Sequence, residues 1–186
     1  MNIIAGIVKG RKLEIPKGIR PTAQKVKEAL FNILGDRVKK ATVLDLFAGS
    51  GSLGIEALSH GAKEAVFVDN NFVCINAIKQ SLKKVFFLSV SSTIQSDFKK
   101  ALSFFKRKEK KFDIIFVDPP YGQKLAENVL QEIAQYDILL CNGILIVEHF
   151  KKEILSSEVG NLVLERQRKY GDTILALYRN LSAQYS

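Results

Sequence analysis

The sequence predicts an α/β fold, a mostly parallel sheet with helices on both faces. Three observations carry this. From residue 41 onward, strand-like and helix-like segments alternate, the pattern of repeated βα units. Two strand candidates, Ile114–Val117 and Ile144–Val147, are continuous apolar runs, as strands covered on both faces are. A glycine-rich turn, Gly49-Ser50-Gly51-Ser52-Leu53-Gly54, joins the strand candidate at 42–47 to the helix candidate after it. With 186 residues, 47% of them hydrophobic, the chain can bury a core of one ordinary domain.

Residues 1–20 read as an extension of their own. Ile3-Ile4 and Ile7-Val8 precede Lys9-Gly10-Arg11-Lys12, and Leu13 and Ile15 follow, which predicts a β-hairpin turning at Gly10. The main domain is expected over 21–186. It opens with a helix at 22–34, where Thr22 is the N-cap candidate and Val26, Ala29, Leu30, Ile33 and Leu34 form one apolar stripe. Gly35 is its natural stop. Strands follow at 42–47, 64–69, 90–95, 112–117 and 143–148, and helices at 52–60, 71–84, 97–108 and 123–139. At 161–180 two β-rich runs flank Gly171-Asp172, as in an antiparallel hairpin. The charge run at 106–111 reads as a solvated helix end.

The formal charge is +9, a balance that favours a polyanionic partner, nucleic acid before membrane. No apolar run approaches the ~20 residues of a membrane helix. The N-terminal stretch lacks the apolar core of a signal peptide. The two cysteines, Cys74 and Cys141, build neither a disulfide framework nor a metal spacing. A cytoplasmic protein is expected. His60 and His149 stand far apart without ligand-spaced partners, so no metal site is expected. No nucleophile elbow or catalytic triad is legible.

The turn at Gly49–Gly54 is a formal G-x-G-x-x-G between a strand and a helix, the context that gives the motif meaning. Asp69, 20 residues after Gly49, ends the next strand, where a carboxylate can accept both ribose hydroxyls. Together they indicate an adenosine-type cofactor, with Phe47 and Asn70 beside the loop and the acid. Asp45 precedes the loop. A carboxylate there repels a pyrophosphate but suits an ammonium group, which points to S-adenosylmethionine rather than NAD. The alternative for Asp45 is a structural residue bonding loop amides. Asp97, with Phe98 after it, ends the third strand region. It can meet an adenine amino group or simply cap the following helix.

The fourth strand ends in Asp118-Pro119-Pro120-Tyr121. An exocyclic amino nitrogen of a base is a poor nucleophile, because its lone pair is delocalised. The Asp118 carboxylate and the Pro119 carbonyl can accept from its N–H groups as charge develops. The prolines fix φ near −65°, and Tyr121 offers a stacking face for an extruded base. The bland alternative is a stiff turn.

These stretches, "LDLFAGSGSLGIEALSHGA", "VDN" and "VDPPY", resemble S-adenosylmethionine-dependent methyltransferases that act on exocyclic amino nitrogens. Gly10–Leu34, with Arg20-Pro21-Thr22, and Tyr170–Arg179 narrow the resemblance to the bacterial 16S ribosomal RNA guanine-N(2)-methyltransferases, the RsmD family. The resemblance implies a class I methyltransferase fold with a seven-stranded sheet and an N-terminal hairpin. It implies methylation of a guanine 2-amino group in 16S ribosomal RNA or a small-subunit precursor. Asp45, Gly49, Gly51, Asp69 and Asp97 would line the cofactor site, and Asp118, Pro119 and Tyr121 the base site. Ten Lys or Arg and three acids lie within residues 1–40. That segment, with Arg11, Lys12, Arg20, Thr22 and Lys25, is expected to grip RNA phosphates. Nothing demands a dimer. Rival readings are an adenine-N(6) methyltransferase on DNA or RNA, an NAD-type oxidoreductase, and a non-catalytic RNA-binding assembly factor.

Overall fold

A computed structural model describes residues 1–16, 18–19, 22–120 and 125–182. The chain forms two compact units, Met1–Asp97 and Phe98–Ser186.

In the first unit, α1 (Gln24–Leu34) leads through a 3-10 turn to β1 (Thr42–Asp45). There follow α2 (Ser52–Ser59), β2 (Glu64–Asp69), α3 (Phe72–Lys84) and β3 (Ser91–Gln95). β2 lies between β1 and β3 and is parallel to both, with Asp45 opposite Phe67 and Asp69 opposite Gln95. Parallel neighbours need crossovers, and α2 and α3 supply them. Thr22 is not the N-cap of α1: Ala23 holds that position, without a side-chain bond. The N-terminal hairpin reduces to a single bridge, Asn2 to Lys12. Ile3 and Gly10 bond across its stem, and Ile3 and Leu13 are buried.

In the second unit, α4 (Phe98–Arg107) precedes β4 (Phe112–Val117), α5 (Leu125–Tyr136) and β5 (Leu139–Phe150). The chain closes with β6 (Glu158–Val159), β7 (Leu162–Tyr170) and β8 (Thr173–Asn180). β4 and β5 are parallel. β8 runs antiparallel between β5 and β7, and β6 pairs with the start of β7. The expected turn at Gly171-Asp172 is there, with Tyr170 opposite Thr173 and Gly171 at φ 63°.

The expected α/β class holds, with parallel strands and crossover helices. Among the described residues eight strands form where seven were expected; the addition is the two-residue β6. A further departure is at 137–142. Asp137 takes a positive φ of 50° and stops α5, so β5 begins at Leu139, four residues before the expected 143. No described helix is long and apolar enough to cross a membrane.

Candidate active site

In the first unit three acids follow the strands. Asp45 ends β1, Asp69 ends β2 and Asp97 follows β3 by two residues. Because the strands are parallel and adjacent, these ends share one edge, where open α/β sheets hold ligands.

Asp45 is buried (3% exposed), and its Oδ2 accepts the Gly54 N–H at 3.0 Å. Gly54 is the third residue of α2, whose N-cap position, Gly51, has no side-chain cap. Asp45 thus satisfies one of the orphan N–H groups of that helix from the strand and sets negative charge against its positive dipole end. The structural role of Asp45 is therefore realised. It also tests the cofactor: with a carboxylate at this N-terminus, a pyrophosphate is disfavoured, whereas a cationic aminoacyl group is not.

Asp69 is the hinge of the loop. Its Oδ2 accepts from the Gly49 N–H and its Oδ1 from the Asn71 N–H, both at 2.8 Å. A carboxylate offers about four acceptor positions, so each oxygen keeps capacity for a ribose hydroxyl. The residues present fit S-adenosylmethionine. Asp69 also reaches Cys74: burial, and then the Asp69 charge, push that thiol up to about 11, which leaves it an inert core group.

The glycines divide their work. Gly49 lies at φ 52° and faces Ile19, whose Cγ2 would stand 3.4 Å from an added Cβ. Gly51 lies at φ 75°, and an added Cβ would come within 2.9 Å of Ile78; its own N–H donates to Ala48 inside the loop at 2.6 Å. At Gly54 an added Cβ would fall 2.3 Å from the Phe67 ring. Gly51 and Gly54 thus serve turn and packing, and only Gly49 lies directly on the Asp69 contact. Phe47 is half-buried and Asn70 exposed, the Asn70 carbonyl accepting from Gln95 Nε2 at 3.4 Å. Asp97 is half-buried immediately before α4.

In the second unit, β4 buries Ile114–Val117 and delivers Asp118, half-buried, Pro119, buried, and Pro120, exposed. Phe98 opens α4, with the Lys99 ammonium 5.9 Å from its ring centroid. Tyr121 and Arg20 lie outside the described residues.

Of the basic segment, Arg11, Lys12 and Lys25 are exposed, and Thr22 is buried. Lys27 belongs with none of them. It is fully buried and paired with Glu56, also fully buried, at 2.8 Å. Glu56 further accepts the N–H groups of Ile4 and Ala5 at 2.9–3.0 Å. His60 stacks on Phe31 with 4.8 Å between centroids. This cluster pins the N-terminal segment to α1 and α2 and was missed from sequence. The signal was there: Lys27 stands four and seven residues before Phe31 and Leu34 on the buried stripe, and Glu56 interrupts the apolar run of α2.

Fold and strand-end acids together define an S-adenosylmethionine-dependent methyltransferase of class I. A family model described as Conserved hypothetical protein 95 matches residues 1–179. Ribosomal RNA small subunit methyltransferase D of Haemophilus influenzae is 35% identical over 185 residues, covering 97% of this chain and 94% of its own. YlbH of Bacillus subtilis is 39% identical over 181 residues, 96% of this chain and 98% of its own. The solved yhhF chain of Escherichia coli has a TM-score of 0.88 at 31% identity, covering 98% of this chain and 99% of that one. The chain belongs to the family of Ribosomal RNA small subunit methyltransferase D.

Proposed function

We propose that this protein methylates the 2-amino group of a guanine in 16S ribosomal RNA, within the small subunit or its precursor. The observation that carries the reading is the end of β4: a strand buried from Ile114 to Val117 that delivers Asp118-Pro119-Pro120 in a chain of this family. When bound, S-adenosylmethionine supplies a methyl group activated by its sulfonium. The guanine amino nitrogen would accept that methyl group, and the sulfur would be released as a neutral thioether. The Asp118 carboxylate and Pro119 carbonyl accept from the two N–H groups and favour a more tetrahedral nitrogen, where positive charge develops. Pro120, which follows, restricts the ψ of Pro119 and so keeps that carbonyl from reorienting. The alkylated nitrogen then loses a proton to solvent, so no strong base is required.

Asp69 receives the ribose hydroxyls, and Asp45 places negative charge toward the aminoacyl ammonium. Tyr121 stacks on the target base, and Arg11, Lys12, Arg20, Thr22 and Lys25 hold RNA. In this reading residues 1–20 are an RNA-facing extension of a catalytic domain spanning 21–186, and the protein works as a cytoplasmic monomer.

The test is mass mapping of small-subunit RNA from a strain lacking the gene, followed by addition of purified protein and cofactor to its small subunits. Loss and restoration of one 2-methylguanine supports the reading. An unchanged pattern, or a 6-methyladenine in its place, rejects it.

A further inference from the structure

The far end of α3 carries features that the cofactor site does not use. A groove of about 330 Å3 opens beside β3, an edge strand of its unit, lined by Lys79, Lys83, Leu88, Ser91, Ser92 and Thr93 among others. Lys79 and Lys83 are exposed, and neither has an acid partner among the described residues. Lys84, next in sequence, does pair, with Glu14. Residues 72–96 contain no Asp or Glu at all, against three lysines. This stretch is a one-sign field.

Phe86 is the second observation. It is 81% exposed and lies at φ 63°. The Phe86 N–H donates to Lys83 O at 3.3 Å and the Phe87 N–H to Leu82 O at 2.9 Å. This is the Schellman ending of a helix, and its left-handed position is normally a glycine. A large aromatic held there, in a disfavoured conformation and without burial, is an outlier that points to use. Leu88, two residues on, is also half-exposed.

We propose that this groove is a second RNA-contact surface, which holds a single-stranded or looped segment of the substrate RNA away from the methyl-transfer site. It rests on the reading that RNA is the substrate. Lys79 and Lys83 pair with phosphates, the hydroxyls of Ser91, Ser92 and Thr93 bond phosphate or 2′-hydroxyl oxygens, and Phe86 stacks on a base. A protein partner fits less well. Lysine is depleted from the cores of such interfaces, and here two unpaired lysines border the apolar floor.

The experiment uses the full chain and small subunits isolated from a strain lacking the gene. Filter binding over a range of KCl is measured for wild type, Lys79→Gln/Lys83→Gln and Phe86→Ala, with calorimetry of S-adenosylmethionine on each. The double variant is expected to lower the salt slope by about 2. Phe86→Ala should weaken binding about tenfold at fixed salt with little change in slope. Cofactor affinity should not change. Benzoylphenylalanine at position 86 should crosslink to RNA. Affinity and slope equal to wild type in both variants overturn the proposal and leave the methyl-transfer reading standing. So does a crosslink to a ribosomal protein. Wild-type protein that transfers no methyl group to any RNA rejects that reading, and this proposal with it.

Discussion

Replacing Phe86 by glycine should leave the fold about as stable as before or slightly more so, although a phenylalanine is deleted. A non-glycine residue in the left-handed region is penalised by about 1–2 kcal/mol, and Phe86 sits at φ 63°. Glycine removes that penalty. Against it stands the greater freedom of glycine in the unfolded chain, about 0.5–1 kcal/mol. The lost burial is small. Full burial of such a side chain contributes about 1.5–3 kcal/mol, but Phe86 is 81% exposed, so roughly a fifth of that, about 0.3–0.6 kcal/mol, is at stake. The balance runs from about 0.6 kcal/mol against to about 1.2 kcal/mol in favour of Phe86→Gly, with its centre slightly in favour. Phe86→Ala keeps the backbone penalty and loses the contacts, so it should be the least stable of the three. Urea denaturation of wild type, the glycine variant and the alanine variant gives the order directly. The internal control is Phe105→Ala, at a fully buried ring, which should cost about 3–5 kcal/mol. A glycine variant less stable than the alanine variant would refute the argument, because it would mean that Phe86 is not held in the left-handed region.

Three further outcomes are expected. Lys27→Met leaves the Glu56 carboxylate buried without its cation, and urea melts should show a loss of about 3–5 kcal/mol, since Lys27 and Glu56 are both fully buried; a loss below 1 kcal/mol would mean water reaches the pair. His149 is buried, with no partner for Nε2 among the described residues, and burial lowers its pKa below the usual 6.5. The unfolded chain therefore takes up a proton below about pH 6.5 while the folded one resists. The stability from this group is intact above that pH, falls as pH drops toward the lowered folded value, and levels off beneath it; His149→Gln should flatten that part of the stability–pH curve. Asp118→Ala should abolish methyl transfer while S-adenosylmethionine binds as before by calorimetry; a collapse of folding and cofactor affinity together would make Asp118 a structural residue.

How far the sequence could be read depended on whether a signal was local. β2 and β4 came out at the expected residues, because buried parallel strands are apolar runs and need no partner to be recognised. The glycine loop was legible for the same reason, since its spacing and flanking elements are contiguous. The N-terminal hairpin was not. Its alternation was real, but the Glu56 carboxylate takes the Ile4 and Ala5 amides that a strand ladder would have used, and one bridge is what remains. That competitor lies about fifty residues away. Lys27 was not singled out for a like reason, because the role of a lysine on an apolar stripe depends on a buried partner that lies far off in sequence. Nor could the end of α5 be seen: the helical period continues past Tyr136, while a positive φ at Asp137 ends it.

The acids at the strand ends show why a structural role and a functional role need not compete. Asp45 accepts Gly54 N–H and thereby locks the start of α2 to β1. Asp69 accepts Gly49 N–H and thereby locks the loop to β2. On Asp69 each amide uses one acceptor position of the carboxylate and leaves others. The same bonds that hold the loop fix where those remaining positions point. A ligand meeting them therefore finds acceptors whose orientation was settled when the chain folded, and less ordering is left to be done on binding. An alanine at Asp69 would remove the acceptor and release the loop at once, so its loss of cofactor affinity would overstate the ribose contact. Asparagine keeps one amide acceptor at nearly the same place, so its loss relative to wild type reports the ribose contact, and the further loss in alanine reports the loop that presents it.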